Sequence, residues 1–464
     1  MFPETLWYLL NVAIVFAQTR KQLSLNTVSS FNDSSTFTLP EASNLTVSVA
    51  LCSSSSSARF FVTNTSADAD NPGPDGGTDV YEISLNEGFG NFAGAFTNGG
   101  VLSADDASNV TFEVGVSESG PTHKISTDPP SLGDTTATQA IIFSPVFLEV
   151  SSEVPTYPNY SLPVANLSAP AVPSTSNNFS LIFSETSGSS PLASGLQTGC
   201  ALQSQNSTGT IVNQTMWLPN EDGWRTQWII DGLTPATNYT AYVIIDNTTV
   251  SGPIYFITKS ESFSCPLLSN LPYCPGIAYA IPLAQPSSQS TYDSTNLPSE
   301  IAEPLISSLT NFTTTLTTFA CGRDDYSPLV SCNDCQREYR RWLCTVSFPR
   351  CGEASSNNGA MVAANGAQKV FSALLSQPTT VTPRNSNFPS FNETYTALLP
   401  CLERCNAADR ACPSFLGFRC PTAQFNALSS YGVGYIDSGV EGVEGRGSSG
   451  TAQDRYGNVW CNYG

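Results

Sequence analysis

The run PCLERCNAADRACPSFLGFRCP, residues 400–421, spaces four cysteines as C-x3-C-x6-C-x7-C. Cysteines this dense serve one of three chemistries: thiolate ligation of a metal, thiol redox exchange, or covalent cross-linking. Twelve of the fourteen lie in the second half, at Cys265, Cys274, Cys321, Cys332, Cys335, Cys344, Cys351, Cys401, Cys405, Cys412, Cys420 and Cys461. Thirteen N-x-S/T sequons accompany them, at Asn32, Asn44, Asn64, Asn109, Asn159, Asn166, Asn178, Asn206, Asn213, Asn238, Asn247, Asn311 and Asn392, and are expected to carry glycans. A short apolar stretch, LWYLLNVAIVFA (6–17), ends in small residues suited to a signal peptidase. Together with the even cysteine count, these features point to the oxidising secretory route, where cross-linking is the expected chemistry. Cys332 and Cys335 form a C-x2-C that elsewhere suggests zinc or redox work; here, with no histidine near, each is expected in a structural disulfide to a separate partner.

Other residues capable of chemistry are few. The one histidine, His123 in GPTHKIST, has no cysteine or serine motif around it and is expected on a surface loop. The acidic stretch DADNPGPDGGTD (68–79) has the flavour of calcium ligands, but Pro72 and the missing following glutamate break the helix-loop-helix pattern, so a turn-rich loop is expected. No pair of acids is singled out for glycoside cleavage. The chain is therefore expected to be no enzyme and to hold no cofactor or metal. QREYRRW, with Arg337, Arg340, Arg341 and Trp342, is the most basic local feature. Two readings stay open for it: an interface patch, since Arg and Trp are favoured at binding hot spots, or a solvated helix face with Trp342 in the core.

Elements must hold these residues in place. Cys401, Cys405, Ala408 and Cys412 fall on one face of a single helix, which cross-links would pin to its neighbours. Cys332, Cys335, Tyr339 and Trp342 mark a second helical stripe, and Leu305, Leu309, Phe312, Leu316 and Phe319 a third that leads into Cys321. Between Cys351 and Cys401, EASSNNGAMVAANGAQ reads as a small-residue loop, followed by a short helix through Val370 to Leu375. The first half is strand-like: LTVSVAL (45–51), ARFFVTN (58–64), NVTFEVGV (109–116), AIIFSPVFLEV (140–150) and NFSLIFS (178–184) are β-branched and aromatic runs between Gly, Pro, Asn and Ser clusters. GLTPATNYTAYVII (232–245) resembles a fibronectin type III strand, with Leu233, Pro235, Thr237 and Tyr239 in the order that buries a tyrosine ring and bonds its hydroxyl back to the chain.

The expected fold is therefore multidomain. A signal peptide (1–17) precedes a β domain (18–150), a fibronectin type III-like β-sandwich (151–260) and a disulfide-rich, mainly α cysteine-rich domain (261–464). Net charge is −20, with 6 basic against 22 acidic residues before position 261 and 12 against 16 after it. That balance disfavours nucleic acid and anionic lipid. No later run approaches the 20 or so apolar residues of a spanning helix, and DRYGNVWCNYG offers no hydrophobic tail for a glycolipid anchor. Membrane association is expected through a partner.

YCPGIAYAIP (273–282), WLCTVSFPRC (342–351) and PCLERCNAADRACP resemble, in order, the opening, centre and closing helix of the Frizzled-type cysteine-rich domain. No seven-helix receptor accompanies them. The whole layout resembles the fungal stretch-activated calcium-channel component family, the calcium influx-promoting proteins, whose cysteine-rich part is similar to the extracellular auxiliary subunit of the animal sodium leak channel. The resemblance implies a disulfide-bonded helical domain and a non-catalytic accessory role. The partner it implies is the pore-forming subunit of a voltage-gated-type calcium channel, met at the extracellular face of the plasma membrane. The alternative is a secreted module that binds a lipid or a cell-wall component.

Overall fold

The structure, a computed structural model, describes residues 20–54, 57–77, 79–150, 162, 171–174, 177–187, 192, 195–219, 223–287, 290–318, 326–353, 373–422, 426–432 and 461–464. The apolar 6–17 stretch, Asn159, Asn166, Phe319, Cys321, residues 354–368 and Val370 lie outside the described residues. The chain packs as two compact units, residues 1–124 with 195–204, and residues 125–194 with 205–464. β-Structure predominates, and no helix among the described residues is long and apolar enough to cross a membrane.

The first unit is two sheets closed on one core. One runs in the order Lys21–Gln22, Thr36–Leu39, Gly100–Asp105, Arg59–Thr63, Tyr81–Glu82; the other runs Thr27–Phe31, Phe112–Ser117, Ala42–Leu51, Phe89–Phe96. The period of two along Ala42–Leu51 aims Leu45, Val47, Val49 and Leu51 inward against Phe37, Phe60 and Phe112. The 195–204 segment joins this unit through Cys52–Cys200, a cross-link 148 residues apart in sequence. It carries a one-turn helix, α1 (Gly199–Gln203). Thr198 caps α1, accepting from the Ala201 N–H and donating to the Leu51 carbonyl at 2.5 Å.

In the second unit a sandwich comes first. Ser131–Thr135, Ala140–Phe143, Gly223–Asp231 and Leu148–Glu149 form one sheet, with Thr210–Trp217 on the free side of Gly223–Asp231. Phe179–Glu185, Asn238–Ile245 and Thr249–Ile257 form the facing sheet. Trp228, Ile230 and Ile142 meet Phe183, Tyr239, Val243 and Phe256 between them. A division near 150 falls between Leu148–Glu149 and Phe179–Glu185 of this one sandwich. Tyr239 is buried, stacked on Phe256 at 5.4 Å, and its hydroxyl accepts the Thr234 N–H at 2.9 Å.

The second unit also holds a buried ionic cluster. Asp134 accepts from Arg350 Nε at 2.9 Å and from the amides of Thr135 (2.9 Å) and Ala280 (3.2 Å), with Lys259 Nζ at 3.7 Å. All three side chains are at most 6% exposed. Burial pulls the Asp134 carboxyl up, but Arg350, Lys259 and the Thr135 amide outweigh it and hold the group below the usual carboxylate range. For Lys259 burial prevails over Asp134 and lowers the ammonium.

Three longer helices follow: α2 (Ser299–Thr317), α3 (Cys332–Ser347) and α4 (Leu402–Ala411). In threonine-rich α2 the Thr310, Thr313, Thr314 and Thr315 hydroxyls are satisfied by donating back to carbonyls four residues earlier, and packing of the inward face holds the helix. Its inward face is Ile301, Leu305, Leu309, Thr313 and Leu316. α3 starts at a capping box, with Ser331 and Asp334 satisfying each other's amides. Gln336 donates to Thr313 at 2.8 Å and Tyr339 stacks on Phe312 at 3.5 Å, which fixes α3 against α2. The short helix expected through Leu375 is instead a strand, Leu374–Gln377, paired with Tyr395–Leu398 and through it with Arg350–Gly352. Two adjacent leucines fit either period, and the partner strand decides.

Candidate docking site on the disulfide-clamped helices

α3 and α4 are fastened at both ends. Cys335 in the first turn of α3 bonds Cys412, the residue that ends α4, and Cys344 in the last turn of α3 bonds Cys274. Cys401, which caps α4, bonds Cys461, and Cys405 bonds Cys420. Cys265 bonds Cys351, and Cys332 is also disulfide-bonded. No cysteine among the described residues is free. Two groups of metal-type ligands occur among the described residues, Cys52–Glu113–Cys200 and Cys401–Glu403–Cys461. In each, both sulfurs are spent in a disulfide, so neither offers a thiolate.

The basic stretch divides between two concavities. Arg340 and Arg341 line one groove together with Arg404, Pro275, Ile277 and Tyr463. Trp342 lines another, of about 290 Å³, with Val346, Arg384, Leu398 and Tyr431. Arg337 faces Asp334 at 2.9 Å and Glu338 at 3.3 Å. Glu338 thus serves three guanidiniums, since Arg341 reaches it at 3.1 Å and Arg404 at 3.9 Å. Arg404 also donates to the Tyr463 carbonyl at 2.6 Å and lies 3.8 Å from that ring. Burial, with Arg341 beside it, pushes the Arg340 guanidinium down to about 10. Trp342 is half-buried; its indole N–H donates to the Tyr431 hydroxyl at 3.0 Å, and its ring meets Phe418 edge-on at 4.8 Å. Arginine planes, indole and phenols are thereby held rigidly on covalently braced elements, as a recognition surface requires.

Elsewhere the sequence expectations meet specific geometry. His123 is not on the surface: it is 3% exposed, with Nδ1 3.0 Å from Ser48 Oγ and Nε2 3.3 Å from Glu113. Its loop lies flat on the sheet because Gly115 has no Cβ, which would collide with Thr122 Oγ1. A serine, a histidine and an acid meet there, yet Ser48 is fully buried, so no substrate reaches the hydroxyl. The acids of the 68–79 loop stand exposed, and Arg20 holds the loop by the carbonyls of Ala67 and Ala69. The described sequon asparagines are exposed, except Asn64, which is half-buried and donates to the Ala95 carbonyl at 2.8 Å. Sequence reading passed over the Cys52–Cys200 bond and the Asp134 cluster, whose partners are 148 and up to 216 residues apart. The only local signal was an even cysteine pair outside the dense frame.

Fold and site together define a class: a β-rich protein with a disulfide-clamped helical region and no thiolate or open catalytic array among its described residues. A family model for the stretch-activated Ca2+-permeable channel component Mid1 matches residues 38–445, and the chain belongs to that family. A stretch-activated cation channel MID1 of Cryptococcus neoformans var. grubii is 37% identical over 416 residues, covering 82% of this chain and 66% of the relative. The stretch-activated cation channel yam8 of Schizosaccharomyces pombe is 29% identical over 266 residues, 53% of this chain and 50% of the relative. The MID1 protein of Saccharomyces cerevisiae is 30% identical over 211 residues, 41% of this chain and 34% of the relative. The matched regions thus span about two thirds, a half and a third of those relatives' own lengths.

Proposed function

We propose that this protein is an extracellular accessory subunit that promotes calcium influx by docking on the pore-forming subunit of a voltage-gated-type calcium channel. The observation that carries the reading, beside family membership, is the α3–α4 clamp: disulfides at both ends hold Arg340, Arg341 and Trp342 beside two concavities. A face pre-organised in this way binds without a large ordering cost. Docking biases the channel toward an open or export-competent state to the extent that the face binds that state better. The finer fold assignments, a fibronectin type III-like sandwich and a Frizzled-like cysteine-rich region, belong to the same reading, as do glycosylation at the sequons and entry through the secretory route.

Affinity purification of the tagged protein from detergent-solubilised membranes tests the proposal. A multi-spanning channel in fixed stoichiometry supports it. Recovery of the protein alone, with calcium uptake unchanged in a deletion strain, rejects it. The second reading, a secreted ligand-binding module, draws on the 290 Å³ groove beside Trp342, which approaches the size of small-molecule pockets. It predicts a bound lipid or glycan in the purified protein and no channel.

A further inference from the structure

Among the described residues, the sandwich of the second unit has an edge strand with no neighbour on its outer side. Strand Thr210–Trp217 pairs along one side with Gly223–Asp231 and with no other described strand. Its outer row of backbone N–H and C=O groups is a template for another strand. Thr210 to Gln214 are all exposed, with Ile211 37% and Val212 48% exposed. Edges of this kind are commonly defended by Lys or by Pro. Here the whole stretch from Thr186 to Asn220 carries no charged residue, and the strand has no proline. β-Branched, uncharged and exposed, it has the composition that pairs and aggregates.

One feature at the edge offers a cover. The register slips between Ile211 and Asn213, so that Val212 is an extra residue, and Asn213 at this bulge opens the sequon Asn213-Gln214-Thr215. We propose that Asn213 carries an N-glycan whose function is to cap this edge. A branched sugar beside a bulge obstructs a second strand, which must approach to about 4.8 Å to pair. Asn206, exposed in the connection before the strand, lies outside the paired segment and is not assigned this role. The inference rests on the proposed secretory entry and sequon glycosylation and not on docking, so glycopeptide mapping tests it separately from channel co-purification.

The test uses the full chain secreted from a eukaryotic host, with glycopeptide mapping and size-exclusion chromatography. Asn213 is occupied in the wild type, and Asn213→Gln raises the aggregated fraction about fivefold or more, as a bare edge would. Asn206→Gln leaves that fraction unchanged. Adding Val212→Lys to Asn213→Gln restores the monomer, because a charge on the edge replaces the sugar. An unmodified Asn213 overturns the proposal, as does a monodisperse Asn213→Gln protein. Aggregation that Val212→Lys fails to relieve overturns it too, since the sugar would then serve folding rather than the edge. A wild-type dimer with residues 210–217 protected from hydrogen exchange would show that a second copy covers the edge instead.

Discussion

Replacing Asp134 by asparagine should remove a large share of the second unit's stability. The substitution preserves shape, but Arg350 and Lys259, 6% and 4% exposed, would then face a neutral amide. Breaking a buried pair by removing one partner costs about 3–5 kcal/mol, because the remaining charge is left uncompensated. Two cations depend on Asp134, which places the expected loss in the upper part of that range. Urea unfolding followed by tryptophan fluorescence is the assay, since Trp217, Trp224 and Trp228 lie in this sandwich. At a urea slope of about 3 kcal/mol/M, the upper end of the ordinary range because the slope grows with protein size, the loss is a midpoint shift of about 1–2 M. The pH dependence carries a sign. The folded Asp134 carboxyl lies below its ordinary range, so its stabilisation is complete above about pH 4 and drains away as pH falls through the lowered value. Asp134→Asn should lack that acid limb. Replacing the cluster as a whole, Asp134→Leu with Lys259→Met and Arg350→Met, should be far milder than the single change, since no charge is stranded. A single variant within about 1 kcal/mol of wild type, or a triple variant less stable than the single one, would refute the reasoning.

Tyr239→Phe deprives the Thr234 amide of its acceptor and should lower stability by about 1 kcal/mol in the same urea assay. Gly115→Ala drives a methyl into Thr122 Oγ1 and Ser48 Oγ; thermal unfolding should show a loss of about 1–3 kcal/mol, eased by adding Thr122→Ala. Removing the Cys335–Cys412 cross-link with paired alanines opens a loop of 77 residues, worth about 4.5 kcal/mol in the chain-entropy account, and protease should then cut within the helical region first.

What could be read from the chain alone follows the range of the interactions. Helical stripes at Leu305–Leu316, Cys332–Trp342 and Cys401–Cys412 are local patterns, and each stands within α2, α3 or α4 and its caps. The buried Tyr239 hydroxyl was legible because its partner, Thr234, is five residues away. His123 was misplaced because what buries it, Ser48 and Glu113, comes from strands that no local window contains. The Asp134 cluster was invisible for the same reason: an acid, a lysine and an arginine spread from 134 to 350 carry no mutual signal in sequence. At the candidate docking site, the arginine-and-tryptophan composition was legible, whereas the division of Arg340 and Arg341 from Trp342 between two grooves depended on how α3 is clamped.

Docking of the α3 face on a channel is tested most directly by comparing co-purification by wild-type and variant proteins from solubilised membranes. Arg340→Gln with Arg341→Gln removes both guanidiniums from the groove shared with Arg404 without touching a disulfide or placing a carboxylate beside Glu338; the loss of the Arg341–Glu338 pair should cost about 1–3 kcal/mol, read separately by urea unfolding so that a folded variant is compared. If the α3 face docks, the wild type recovers a multi-spanning calcium channel in fixed stoichiometry and the variant recovers at least about tenfold less, the equivalent of about 1.4 kcal/mol. Equal recovery of the channel by both proteins would contradict docking through this face.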